Sequence, residues 1–203
     1  MTALGGAAVR RGRPGHSLES LLEVAVAIFN ERGYEATSMD ELATRLGVTK
    51  SAIYHHVPSK VELLRLALDR ALDALFAVTE EPGAVSGPAI DRLEHVVRGS
   101  VRVLTSQLPF VTLLLRVRGN TEVERAALQR RREFDRIVTE LVRAAEAQGD
   151  VRPDVDPAVT SRLLFGTVNS LTEWYRPGRG LDADALADAL VATTFNGLRT
   201  SSR

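Results

Sequence analysis

The chain has 203 residues, 44% of them hydrophobic, with 26 basic against 26 acidic side chains and no cysteine. That length and apolar content suffice for a buried core, and the missing thiols exclude disulfides, thiolate metal sites and cysteine nucleophiles. The zero formal charge argues against indiscriminate coating of nucleic acid, so any contact with DNA has to be local.

Residues 1–16 contain no acid and carry Arg10, Arg11 and Arg13 in an Arg-Arg-Gly-Arg-Pro-Gly run. This composition predicts a flexible basic arm. Two readings stand for it: a terminal tail, or arginines that follow phosphates or enter a minor groove.

From Ser17 to Gly33 the pattern is helical, with Leu21, Leu22, Ala25, Ile28 and Phe29 on one stripe. This helix is read as a brace against Leu42, Leu46 and Ile53, closing a three-helix unit over residues 17–60. At the next helix start, Thr37 and Ser38 serve either as caps or as contacts to a DNA phosphate. Ser38 and Glu41 have the spacing of a capping box, and Gly47 stops the helix. A second short helix begins near Thr49, with Ala43, Val48, Ala52 and Ile53 expected in the seam between the two. Two short helices joined by a glycine turn are the anatomy of a helix-turn-helix, whose second helix enters the major groove. Thr49, Lys50 and Ser51 then become candidates for base edges and nearby phosphates, and Tyr54, His55, His56 and Lys60 for backbone positioning.

The run from Gly47 to Leu63, Gly-Val-Thr-Lys-Ser-Ala-Ile-Tyr-His-His-Val-Pro-Ser-Lys-Val-Glu-Leu, resembles the DNA-binding signature of TetR-type transcriptional repressors. The match covers the glycine turn, the Tyr-x-His that closes the recognition helix and the Ser-Lys-x-x-Leu that opens the next one. It departs at Val57, where most members carry an aromatic.

Pro58 ends the recognition helix, and Ser59 with Glu62 forms a second capping-box pattern opening a long helix to about Thr79. This helix links the two halves of the chain. The turn formers of residues 80–88 then break the periodicity. Beyond them the sequence predicts helices near 89–106, 108–118, 121–148, 157–174 and 182–198, in a regulatory and dimerisation domain over residues 61–203. The expected fold class is all-α.

The 108–118 segment is apolar on most sides, which predicts burial. It reads either as a core helix or as the wall of a ligand cavity. In the second reading Phe110, Leu113 and Leu114 face a ligand together with Phe134, Leu164, Phe165, Val168 and Asn169, and Arg116 or Arg118 supplies a polar anchor. In TetR-like proteins this region houses the inducer pocket, and the resemblance implies the same here. The triplet Arg130-Arg131-Arg132 reads either as a site for an anionic headgroup or, with Glu122, Glu124 and Glu133 nearby, as a solvated, ion-paired face, and the second reading is preferred. Trp174, the only tryptophan, serves packing or a ligand. The last two helices, with small residues on an apolar face, suit a four-helix homodimer interface. The stretch Trp174-Tyr175-Arg176-Pro177-Gly178 with the following acidic, alanine-rich helix resembles TetR members that respond to acyl-CoA thioesters.

Enzyme chemistry has little support. His16, His55, His56 and His95 lack metal-ligand spacing, no phosphate-cradling glycine motif or nucleophile elbow occurs, and no cofactor is expected. No run approaches the ~20 apolar residues of a membrane span and no signal peptide is evident, so a cytoplasmic location is expected. The reading is a repressor that binds a near-palindromic operator on double-stranded DNA as a homodimer and is released by a lipophilic or acyl-CoA-type inducer. The alternative is a helical small-molecule-binding protein, or an activator, in which the helix-turn-helix is not a repressor element.

Overall fold

The structure, a computed structural model, describes residues 17–198; the expected arm with Arg10, Arg11 and Arg13 lies outside the described residues. Ten helices and no strand are found among the described residues: α1 (Leu18–Arg32), α2 (Met39–Leu46), α3 (Lys50–His56), α4 (Lys60–Glu80), α5 (Pro82–Val85), α6 (Ala89–Ser106), α7 (Leu108–Arg116), α8 (Glu122–Ala147), α9 (Pro157–Trp174) and α10 (Ala183–Leu198). The all-α expectation holds, and the predicted helix bounds agree closely.

The first helices begin and end where their side chains and glycines dictate. Ser17, Ser38, Thr49 and Ser59 each accept a backbone N–H with the side-chain oxygen at the starts of α1, α2, α3 and α4. Gly47 sits at φ 67°, the left-handed conformation that lets α2 turn into α3. Both expected capping boxes are only half made. The Glu41 carboxylate pairs with Arg32, and that of Glu62 accepts from Arg65 Nε at 2.9 Å, because a guanidinium within reach outcompetes the cap N–H.

One helix was not expected. The segment read as a breaker holds α5, a single turn with Pro82 at its first position, where a missing N–H costs nothing. Ala84 is buried, Arg92 Nε donates to the Ala84 carbonyl at 2.7 Å, and His95 Nε2 lies 2.6 Å from Glu81 Oε2. His95 is thus a partner of this turn.

The core is continuous from Leu21 to Phe195. In the N-terminal three-helix unit α2 packs on both α1 and α3, with Leu42, Leu46 and Ile53 buried as expected. Ala43 is buried and Val48 partly so, but Ala52, assigned to the seam, is exposed. Val57 is 1% exposed, so the aliphatic fills the position where an aromatic is usual. The long α4 buries Leu63, Leu64, Ala67, Leu68, Ala71 and Leu72, and packs on α1, α6, α7 and α8. It runs from the three-helix unit into the larger domain without a break.

Near its end α4 approaches α6 closely because Gly99 has no side chain: a Cβ there would lie 2.3 Å from Val78 Cγ1. Gly99→Ala is therefore expected to lower the unfolding free energy in urea by about 1–3 kcal/mol, the usual range for overpacking. A second change, Val78→Ala, should recover part of the loss. Two full single-site losses that simply add would place the strain elsewhere.

Candidate nucleic-acid interface and ligand cavity

On α3 only Ile53 is buried. Thr49, Lys50, Ser51, Tyr54, His55 and His56 are all exposed, as is Ser38 at the start of α2. Tyr54, at 46% exposure, presents a large ring to solvent with no core function. The His55 and His56 rings meet edge to face at 5.6 Å. Lys50 Nζ donates to Asp40 Oδ2 at 2.9 Å, and this bond with the carboxylate charge raises the lysine's pKa, keeping it cationic. Asp40 thereby holds the Lys50 ammonium at the junction of α2 and α3.

Two expected phosphate contacts are withdrawn from this face. Thr37 is buried, and its hydroxyl donates to the Gly33 carbonyl at 2.8 Å. Its oxygen ties the α1–α2 turn and is not presented to a ligand. Lys60 Nζ donates to the carbonyls of Tyr34 (2.9 Å), Thr37 (2.8 Å) and Glu35 (3.4 Å), and lies 4.3 Å from the Tyr34 ring centroid. Three acceptors account for all three ammonium donors. Lys60 is a tether between the start of α4 and the α1–α2 loop.

In the larger domain a cavity of about 50 Å³ lies between α4, α6, α7, α8 and α9. Five of the expected ligand residues line it: Leu114, Phe134, Phe165, Val168 and Asn169. Phe134 stacks edge to face on Phe165 at 5.2 Å and on Phe76 at 5.9 Å. Six expected residues, Phe110, Leu113, Leu164, Arg116, Arg118 and Trp174, do not line it. On α7, Val111, Leu114 and Leu115 turn to the cavity at i, i+3 and i+4 spacing, which carries the neighbouring positions round to other partners. Phe110 lies under the Arg70 guanidinium, 4.2 Å from its ring centroid. Leu113 and Arg116 face α1, where Arg116 Nη1 donates to the Asn30 carbonyl at 2.8 Å. Trp174 is 58% exposed and borders a separate groove with Arg176, Arg179 and Leu186.

The charged wall of the cavity comes from α8: Arg131, assigned from sequence to the arginine triplet, and Asp135, which the sequence did not single out. The arginine triplet is not one solvated face. Arg130 pairs with Asp69 (3.0 Å) and Asp73 (2.6 Å) on α4, Arg132 is exposed, and Arg131 turns inward. Consecutive helical residues are about 100° apart, so three in a row cannot share a face. Arg131 lies on the buried stripe of Ala127, Phe134, Val138 and Leu141, and that register was the available signal. Among the described residues its side chain makes one hydrogen bond, a long one from Nη1 to the Leu114 carbonyl at 3.4 Å. Lost solvation lowers its pKa, with Asp135 opposing, and lost solvation raises that of Asp135, with Arg131 and Arg162 opposing.

Arg118, the alternative anchor, is likewise exposed outside the cavity. Its loop is pinned by Glu124, whose Oε2 accepts the N–H groups of Arg118, Gly119 and Asn120 at 3.2, 2.8 and 2.9 Å. This arrangement ends α7 at Arg116, two residues earlier than expected.

Residues 86–198 match the tetracyclin repressor-like C-terminal domain, and residues 21–67 match the bacterial regulatory proteins of the tetR family. The chain belongs to the TetR family. Among TetR relatives, the HTH-type transcriptional repressor KstR2 of Mycobacterium tuberculosis is 27% identical over 186 residues, 88% of this chain and 90% of that protein. SCO3833, a TetR family member from Streptomyces coelicolor, is 53% identical, with a TM-score of 0.84 over 91% of this chain and 94% of its own. AibR, solved in complex with isovaleryl coenzyme A and operator DNA, is 27% identical with a TM-score of 0.74, covering 87% and 97% of the two chains. TetR proteins are transcriptional regulators and not an enzyme family, and no group of side chains suited to a metal ion occurs among the described residues. No described helix is long and apolar enough to cross a membrane.

Proposed function

We propose that this TetR protein is a repressor that binds a near-palindromic operator as a homodimer, with residues 17–60 as the reader and residues 61–203 as the regulatory part. Thr49, Lys50 and Ser51 read base edges, while Tyr54, His55, His56 and Ser38 hold phosphates. Two readers fit half-sites about one helical turn apart, roughly 34–36 Å, or at another spacing that the scaffold sets. Homodimerisation through α9 and α10 is supported by Val159 (51%), Leu163 (68%) and Trp174, large apolar side chains left exposed along one helix.

The observation that carries the mechanism is the size of the cavity. About 50 Å³ is room for only one or two waters, so any inducer has to part the helices that line it. Leu72 and Leu75 of α4 are in that lining. Parting the walls therefore displaces α4, whose first residue, Lys60, is tied to the reader. A ligand that stabilises the parted state shifts the reader spacing away from the operator. A lipophilic or acyl-CoA-type inducer fits an apolar lining with one polar wall, and the similar protein AibR was solved with isovaleryl coenzyme A, a thioester, and operator DNA.

The test is a fluorescence-anisotropy titration of the DNA upstream of the protein's own coding sequence, at several salt concentrations, with and without acyl-CoAs. Binding that survives competitor DNA, weakens linearly in log salt and is reversed by an acyl-CoA is the expected result. Binding lost to competitor DNA would remove the repressor reading.

A further inference from the structure

The cavity shares one wall residue, Asp135, with a groove on the outside of the domain. This groove, of about 350 Å³, runs between α8 and α9 and is lined by Arg132, Arg136, Arg143 and Arg162 against Asp135 and Glu140. Arg143 is already paired with Glu140. Among the described residues the guanidiniums of Arg132, Arg136 and Arg162 enter no salt bridge. Arg132 and Arg136 are moreover four residues apart on one helix, where like charges repel. The groove concentrates four arginines against two carboxylates beside an apolar chamber, with Asp135, whose charge Arg162 favours, between them.

The geometry points to this groove as the subsite for the phosphate-bearing head of an acyl thioester whose acyl chain lies in the cavity beyond Asp135. The assignment rests on the thioester-type inducer proposed above and adds where its two ends go. Arginine suits phosphate through its planar, multiply donating head. The acyl chain meets Leu114, Phe134, Phe165 and Val168, while Arg131 and Asn169 offer donors to the thioester carbonyl at the cavity's polar end. Asp135 opposes the arrangement, because its charge stands where the anionic head passes.

Truncating the ligand separates the two subsites. Calorimetric titration at fixed salt compares short-, medium- and long-chain saturated acyl-CoAs with the matching acyl-pantetheines, which lack every phosphate, and with free CoA. The wild type should bind the preferred acyl-CoA at least about tenfold more tightly than its acyl-pantetheine, as expected for three exposed charge-assisted contacts. In the triple variant Arg132→Ala, Arg136→Ala, Arg162→Ala that gap should shrink to less than about twofold, with acyl-pantetheine affinity and inducer-free DNA binding unchanged. Asp135→Asn should strengthen acyl-CoA binding several-fold.

Equal affinity of the wild type for the two ligands, or a gap that persists in the folded triple variant, would overturn the subsite and leave thioester induction standing. Free CoA binding as tightly as acyl-CoA would overturn it too, since the groove would then serve a nucleotide polyphosphate without the cavity. If no thioester binds, the inducer class itself fails and the subsite fails with it.

Discussion

Exchanging Lys50 and Tyr54 together for alanine is expected to lower operator affinity at least about a hundredfold while leaving the circular dichroism spectrum and melting temperature of the wild type. The fold is insensitive because both side chains are exposed and α3 is anchored by Ile53 alone; surface exchanges of this kind change stability by only about 0.5 kcal/mol. Lys50 loses an exposed ion pair to Asp40, and such pairs contribute little. In the proposed complex DNA binding is sensitive because a base-edge contact carries about 1–3 kcal/mol, and a symmetric dimer would make each contact twice. Wild-type anisotropy from a folded double variant would mean that α3 does not read DNA.

The second large effect is expected at Lys60. Lys60→Met keeps the length of the side chain but removes the ammonium that gathers the carbonyls of Tyr34, Glu35 and Thr37. Hydrogen bonds to charged groups contribute about 1.5–3 kcal/mol each when well placed, and partial exposure reduces this, so a loss of about 2–4 kcal/mol in urea unfolding is expected overall. The functional consequence reaches further. With the tether gone, a displacement of α4 no longer carries the reader with it, so the inducer should still bind while its effect on DNA affinity collapses. Typical coupling between two sites is 5–150-fold, and the variant should retain less than about threefold. A variant with unchanged stability and full induction would show that α4 communicates with the reader through the packing of Leu63 and Leu64 alone.

Much of the architecture was legible because the signals were local. Gly47, Pro58 and the capping oxygens of Ser17, Ser38 and Ser59 act within four residues of where they stand, and each fell where expected, while Thr49, expected only near the helix start, also caps α3. The exposed face of α3 was legible for the same reason. What the sequence hid depends on groups brought together from afar. Lys60 meets carbonyls 23 to 26 residues earlier in the chain, and no spacing rule reports on a backbone oxygen. Arg116 meets Asn30 across 86 residues, which turns it from a ligand anchor into a strut between α7 and α1. The one-turn α5 was masked by Pro82 and Gly83, which read as breakers when only propensity is weighed; Ala84 packed into the core holds the turn in place. Arg131 was masked differently. Its position on the apolar stripe of α8 was visible, but the charges on either side drew attention to the surface.

In the proposed mechanism, filling the cavity moves α4 and with it the spacing of two readers. The protein contains no cysteine, so a single one introduced at the exposed Glu23 on α1 accepts a spin label without competition. Double electron–electron resonance on the labelled homodimer then measures the distance between its two readers on operator DNA, and again with a saturating acyl-CoA that releases the DNA. The expected result is a shift of the distance distribution away from the DNA-bound value, which Lys60→Met abolishes. The same distribution with and without the inducer, in a protein that nonetheless leaves its operator, would contradict the account.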